Sequence, residues 1–440
     1  MRSNFLQQAA EKLEAAGVNI PEILLPDIPA DKYGKWPVVA CDQFTSQPSY
    51  WEGVESHVGS DLSTLRLILP EIYLSGDVTG RINAIHNNMD DYMRAGVFLP
   101  PYKGFILTRH EYVTDGSGRT DGNARWGLVV SVDLEKYSYA PDAGALMRAS
   151  EETVRDRLPP RIDVRRGAAL ELPHVLVLAD DPEQTLIEPL ARDATGGLLK
   201  TAYEVGLMEG GGRLRGYYVD GPAIIKAADS LWNLFCKAKD MERDPLLFAV
   251  GDGNHSLAAA KAFWEFTKET YPPDKLCNHP ARYALVELTN LHSDALAFKP
   301  IHRALYNADP PDVLNEARKY FNDGNMEIAP EKTVENPADM HLYTVRQSSS
   351  GTALPVVALQ RFIDNFCERR PGVTVDYIHG TEELLRLARD EGRFCFKLPP
   401  FDKNLLFPML AANGPLPRKS FSLGGAREKR YYLEARKILP

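Results

Sequence analysis

The chain of 440 residues has no CxxC pair, no apolar run of membrane-spanning length and no basic excess. Each absence removes a class of protein. The five cysteines, Cys41, Cys236, Cys277, Cys367 and Cys395, are odd in number and widely scattered. That disfavours a disulfide framework and a structural zinc knuckle. A membrane helix needs about 20 consecutive apolar residues, and none is found. Glu11, Lys12 and Glu14 fall where a signal peptide would carry its apolar region, so the cytoplasm is the expected location. With 51 Lys and Arg against 60 Asp and Glu, the net charge is −9. No nucleic-acid partner is expected, because displacing counterions takes a basic face. HExxH, GxSxG, GxGxxG and a Walker Gly-Lys-Ser/Thr are missing too, which removes support for zinc proteases, serine esterases and the common nucleotide loops.

What is present is an ordinary globular composition, 44% hydrophobic and 25% charged. Apolar residues at helical spacing over 4–17 predict an amphipathic helix. Phe105–Val113 and Trp126–Leu134 flank Asp115–Gly118 and Asp121–Asn123 and read as a long antiparallel hairpin. His174–Ala179, Leu246–Val250, Tyr283–Leu288 and Tyr343–Arg346 read as strands, whereas Val356–Phe366 fits strand or helix equally. Interleaved helices and strands with a hairpin predict a mixed-sheet α/β (α+β) body rather than a purely parallel sheet. The Pro- and Asp-rich segment 307–312 suggests a main body over 1–306 and a C-terminal lobe over 307–440, interwoven or separate. The segment 330–339 is the next boundary candidate.

The most informative stretch is DPLLFAVGDGNHSLAAAKAFWEF, residues 244–266. It reads as strand, glycine turn and helix. Gly251 and Gly253 let the backbone bend sharply around Asp252. The first amides of the following helix form a seat for phosphate or carboxylate. Asp252 could bind Mg²⁺ or act as a base, and His255 could donate to phosphate oxygens. Asn254 and Ser256 are also good capping residues, so a plain capped turn stands as the alternative.

GDGNHSLAAAKA, together with VACDQFTSQPSYW at 39–51 and ELPHVLVLADDP at 171–182, resembles the bacterial family called domain of unknown function 1015. RASE at 148–151, PPRIDVRRGA at 159–168, PIHR at 300–303, VDYIHG at 375–380 and PRKSFS at 417–422 also resemble it. More remotely, the turn is similar to the phosphate-binding turn of the ParB and sulfiredoxin superfamily, which includes free-serine kinases. The resemblance implies a ParB/sulfiredoxin-like nucleotide-binding element around GDGNHS. Gly251, Gly253, Asn254, His255 and Ser256 would then hold phosphate, with Asp252 as the acidic member. Ser256 stands where the pattern has arginine, so a bidentate phosphate clamp has to come from elsewhere.

Arg148 is the first candidate for that charge, from a basic stretch that also reads as a salt-bridged helix face. His302 and Arg303 are expected to touch phosphate, and Arg418-Lys419 is a further basic pair. Asp180 and Asp181 follow an apolar strand and either share a Mg²⁺ or open a turn. Asp42, Gln43 and Glu151 are assigned to the substrate. His174 reads as structural and Cys41 as non-catalytic, because Asp42 opposes thiolate formation. The expected activity is Mg²⁺-dependent transfer of phosphate from a nucleotide to a small hydroxylated metabolite, serine-like by the resemblance. A nucleotide-binding regulator without catalysis and a phosphohydrolase on the same anion site are the alternatives. No membrane association is expected, and an oligomer is left open.

Overall fold

The computed structural model describes residues 2–113, 120–141, 144–241, 245–322, 326–331, 341–348, 354–390 and 392–440. The chain forms a mixed α/β fold divided into two compact units. The first comprises 1–296, 407–414 and 424–440, the second 297–406 and 415–423. The division precedes residue 306 because Phe298–Tyr306 is a central strand of the second sheet. The last segment, 424–440, returns to the first unit, so the boundaries at 306 and 307 do not coincide with the units observed. The turn at Asp115–Gly118 and most of 330–339 lie outside the described residues.

The first unit is built on a ten-stranded sheet. Its strands are β1 (Val18–Asn19), β2 (Phe105–Val113), β3 (Thr120–Asp133), β4 (Tyr137–Ser138), β5 (Met147–Ala149), β6 (Leu176–Ala179), β7 (Thr201–Leu207), β8 (Gly212–Val219), β9 (Phe248–Asp252) and β10 (Tyr283–Asn290). They lie in the order β7-β8-β2-β3-β10-β6-β9-β5-β4, with β1 beside β3. β2 and β3 form the expected antiparallel hairpin. Side chains alternate between two cores, as a pleated strand dictates. Phe105, Leu107, Leu128, Val130 and Val286 pack with Leu13, Leu190, Leu231 and Phe263. These last four lie on helices α1 (Arg2–Ala15), α5 (Ile187–Thr195), α6 (Gly221–Met241) and α7 (Asn254–Thr270), with α2 (Pro48–Val58), α3 (Val78–Arg94) and α4 (Pro159–Arg166) between α1 and α5 in the chain. On the opposite face, Ile106, Val129 and Leu285 meet Ile82, Ile85 and Met89 of Val78–Arg94, together with Leu433 and Ala435 of the C-terminal segment.

That C-terminal segment is a strap laid over the sheet. Leu24 bridges Ala435 and Val39 bridges Arg430, so its side chains alternate. One set enters the sheet. Arg430 Nη2 donates to the Met208 carbonyl at 2.6 Å, Tyr432 OH to Glu287 at 3.1 Å, and Arg436 Nε to Glu171 at 2.6 Å. Tyr203 OH donates to Glu434 Oε1 at 2.6 Å. The other set, Lys429 and Tyr431, faces the GDGNHS turn.

Glu434 is 0% exposed, and its Oε2 has no hydrogen-bond partner. Burial raises its pKa from 4.5 to about 7, against the opposing hydrogen bond from Tyr203. A raised folded-state pKa gives stability that is full below the unfolded value and lost as pH rises through the folded one. Glu434→Gln mimics the neutral acid. Unfolding by denaturant should show it equal to wild type at pH 4 and more stable by about 3 kcal/mol at pH 9. Equal stabilities at pH 9 would refute a neutral buried carboxyl.

The second unit carries a six-stranded sheet. Its central strand Phe298–Tyr306 lies between Thr374–His379 and Arg393–Lys397. The ambiguous 356–366 segment is helical within Pro355–Glu368. Its apolar residues Leu359, Phe362, Ile363 and Phe366 are spaced three and four apart and all buried.

Candidate active site

Gly253 fixes the turn. It has φ +80° and ψ 26° at the N-cap of α7, a left-handed conformation open to glycine at little cost. An added Cβ would stand 3.0 Å from Val175 Cγ2 and 3.2 Å from its Cα. The pairing of β9 with β6 shifts register between Val250 and Asp252, so Gly251 sits at a bulge, a device that re-aims side chains. Asn254 closes the turn against RASE: its Oδ1 accepts the Ser150 N–H at 3.2 Å and its Nδ2 donates to Ser150 Oγ at 3.3 Å. Glu151 is thereby brought beside the turn. His255 Nε2 accepts the Val154 N–H at 3.2 Å, so the proton of the neutral ring lies on Nδ1.

A positive charge reaches the turn from the strap. Lys429 Nζ lies 2.7 Å from Asp252 Oδ1, with side chains only 12% and 17% exposed. Burial pulls the lysine pKa down, but Asp252, Asp42 and Glu151 outweigh it and the net shift is upward. Asp252 thus contacts the ammonium, and Asp42 and Glu151 act on it electrostatically. Asp42 arrives because Ala40 N–H donates to the Lys429 carbonyl at 2.8 Å and Tyr431 N–H to the Val38 carbonyl at 3.0 Å. Gln43 Nε2 donates to Asp42 Oδ1 at 2.9 Å.

His174 belongs to this group as well. Its Nε2 is 2.9 Å from Ser256 Oγ, and its ring lies 4.6 Å from that of Tyr431. Burial lowers its pKa, opposed by the charges of Asp42 and Asp252. Cys41 is pushed up to about 11 by burial and then by Asp42, so its thiol stays protonated. Cys41, His174, Ser256 and Tyr431 line a cavity of about 130 Å³.

Other candidates lie elsewhere. β6 runs antiparallel to β9, with Leu176 opposite Asp252 and Ala179 opposite Phe248. Asp180 is therefore about 13 Å along the strand from the level of Asp252, at the opposite end. It meets His292 Nε2 at 2.6 Å. Asp181 caps a turn, accepting N–H groups of Thr185 at 2.7 Å and Leu186 at 2.9 Å. The shared metal expected of these acids and Asp252 is thus corrected by the strand register. Among the described residues no group of three or more His, Cys, Asp or Glu side chains could hold a metal ion. Arg148, on β5, donates to the carbonyls of Ala145 at 3.1 Å and Leu410 at 3.4 Å. His302 and Arg303 belong to the second unit. His302 Nδ1 accepts the Leu398 N–H at 3.1 Å, and Arg303 is spent on Gln360, Ile301 and Lys419.

A family model described as protein of unknown function (DUF1015) matches residues 27–366. No curated protein matches the chain. Among solved structures, a free serine kinase in complex with AMP is 11% identical with a TM-score of 0.35, covering 71% of this chain and 91% of that one. SbnI with C-terminal truncation from Staphylococcus aureus is 9% identical with a TM-score of 0.35, covering 67% and 82%. A conserved hypothetical protein from Pyrococcus furiosus is 9% identical with a TM-score of 0.33, covering 71% and 95%. Among the described residues no helix is long and apolar enough to cross a membrane.

Proposed function

We propose, from the premise that the chain belongs to the family described as protein of unknown function (DUF1015), that it transfers phosphate from a nucleotide to a small hydroxylated metabolite. The observation that carries this reading is the Asp252–Lys429 pair at the mouth of α7, where a helix N-terminus favours phosphate. The acceptor hydroxyl attacks the terminal phosphorus and its proton passes to Asp252. The new bond is between acceptor oxygen and phosphorus; the bond to the bridging oxygen breaks and the nucleotide leaves one phosphate shorter. Lys429 orients Asp252 and meets negative charge on the transferring group. Such catalysis is positioning and electrostatics rather than covalent chemistry.

The charge balance also specifies the donor's form. Asp42, Glu151 and Asp252 all act on Lys429, and a Mg²⁺ ion offsets the further negative charge that a polyphosphate brings. The nucleotide is taken as its Mg²⁺ complex, with the ion belonging to the substrate. Thermal unfolding with ATP or ADP, with and without Mg²⁺, tests this. At 100 times Kd the complex should add about 2.7 kcal/mol of stability, and only with Mg²⁺ present. No shift with either nucleotide under either condition would end the reading.

A further inference from the structure

The cavity beside Ser256 is neither lined nor charged like a pocket for a wholly polar metabolite. We propose that it binds a short aliphatic hydroxy carboxylate, with the carboxylate at Arg165 and the hydroxyl directed to Ser256. That this ligand is the phosphate acceptor rests on the phosphotransfer reading; that it binds does not.

Size comes first. A cavity of about 130 Å³ is close in size to an engineered one of roughly 150 Å³ that takes up benzene, so a short chain of methylene groups fits. Most of its wall is aliphatic, including Leu67, Leu69, Leu74, Met89, Val164 and Leu172. Such a wall favours methylene groups and penalises an unpaired ammonium or hydroxyl.

Charge comes second. Arg165 and Glu171 both line the cavity. Glu171 Oε2 accepts Arg165 Nη2 at 2.7 Å, while its Oε1 accepts Arg436 Nε at 2.6 Å and the Leu285 N–H at 2.9 Å. One carboxylate between two guanidiniums leaves one positive charge over. Arg436 spends its other N–H groups on the carbonyls of Pro280 and Tyr283. Arg165 Nε is buried with no hydrogen-bond partner, and such an orphan donor costs stability until an acceptor arrives. A ligand carboxylate satisfies it and cancels the surplus charge. The other cation on the wall, Arg161, is already paired with Glu71. Serine therefore fits poorly, because its arm is too short for the aliphatic wall. The polar side chains Ser256, His174 and Tyr431 border the same space, and Ser256 is four residues from Asp252.

Calorimetric titration without nucleotide decides the matter, using 5-hydroxypentanoate, pentanoate, pentan-1-ol and serine as probes. 5-Hydroxypentanoate should bind best, at least tenfold tighter than pentan-1-ol and than serine. Arg165→Lys keeps a charge opposite Glu171 but loses Nε, and should weaken the two acids at least tenfold while leaving pentan-1-ol unchanged. Ala259→Leu, which fills the cavity from α7, should weaken all the C5 probes together. Binding of serine as tight as 5-hydroxypentanoate, equal loss of acid and alcohol in Arg165→Lys, or binding of no probe by wild type would each overturn the proposal. If the hydroxy acid binds but Mg²⁺-nucleotide does not, the phosphotransfer reading falls and the pocket stands. Nucleotide binding without any probe binding gives the reverse.

Discussion

Asp252→Asn should lower nucleotide-dependent phosphorylation of the acceptor by 10²- to 10⁴-fold, roughly the worth of a positioned general base, while Mg²⁺-nucleotide binding changes little. The asparagine is isosteric and still accepts from Lys429 Nζ, which now stands 2.7 Å from Oδ1. What it loses is the capacity to take the acceptor proton. A loss confined to KM would instead make Asp252 a binding residue.

Lys429→Met is the complementary change and acts on stability. It leaves Asp252 beside Asp42 and Glu151 with no cation in contact, and breaking a largely buried pair costs about 3–5 kcal/mol. Asp252→Asn placed on Lys429→Met removes one of the repelling charges, so the double variant should recover part of that loss. The coupling between the two positions should lie within about 0.5–3 kcal/mol. Strict additivity in chemical denaturation would mean the 2.7 Å contact carries no energy.

The strand–turn–helix around Asp252 was legible because its signals are local. An apolar run, two glycines and an alanine-rich stretch specify strand, bend and helix without reference to the rest of the chain. Lys429 was not, because it lies 177 residues from Asp252 and nothing local marks a lysine as a partner. The strap does carry a period-two pattern in Arg430, Tyr432, Glu434 and Arg436, but its polarity is inverted. Charged residues at alternate positions read as the solvent face of a strand, whereas here both faces are buried and the polar one is paired across the sheet. Asp180 and Asp181 failed for a topological reason. The expectation that ligands gather at strand carboxyl ends belongs to parallel sheets. Antiparallel β6 and β9 place their carboxyl ends on opposite edges.

Arg125→Met should loosen the strap before it unfolds the sheet. Arg125 on β3 lies 2.8 Å from Glu287 on β10, with side chains 7% and 8% exposed, and its Nη2 also donates to Tyr432 OH at 2.6 Å. Glu287 further accepts from Thr108 at 3.0 Å. The neighbouring His110 is held down to about 3 by burial and then by Arg125, so it cannot take over as a cation near neutral pH. Without the guanidinium, Glu287 is a buried charge with only hydroxyl donors, a loss of about 3–5 kcal/mol. Replacing both partners by apolar residues, Arg125→Met with Glu287→Leu, should restore most of it, because no charge is then left unpaired. The two variants should nevertheless share a second effect, since both lose the hydrogen bond from Arg125 to Tyr432 OH. The amides of Tyr431 and Ala435, which now donate to Val38 at 3.0 Å and Leu24 at 2.9 Å, should lose hydrogen-exchange protection while those of β3 and β10 keep it in the double variant. Lys429 and Tyr431 ride on the same segment, so phosphorylation should fall in both. Retained protection at 431 and 435 with full activity in the double variant would mean the strap is held by its apolar residues alone, and that the buried polar face of the strap has no part in delivering Lys429 to Asp252.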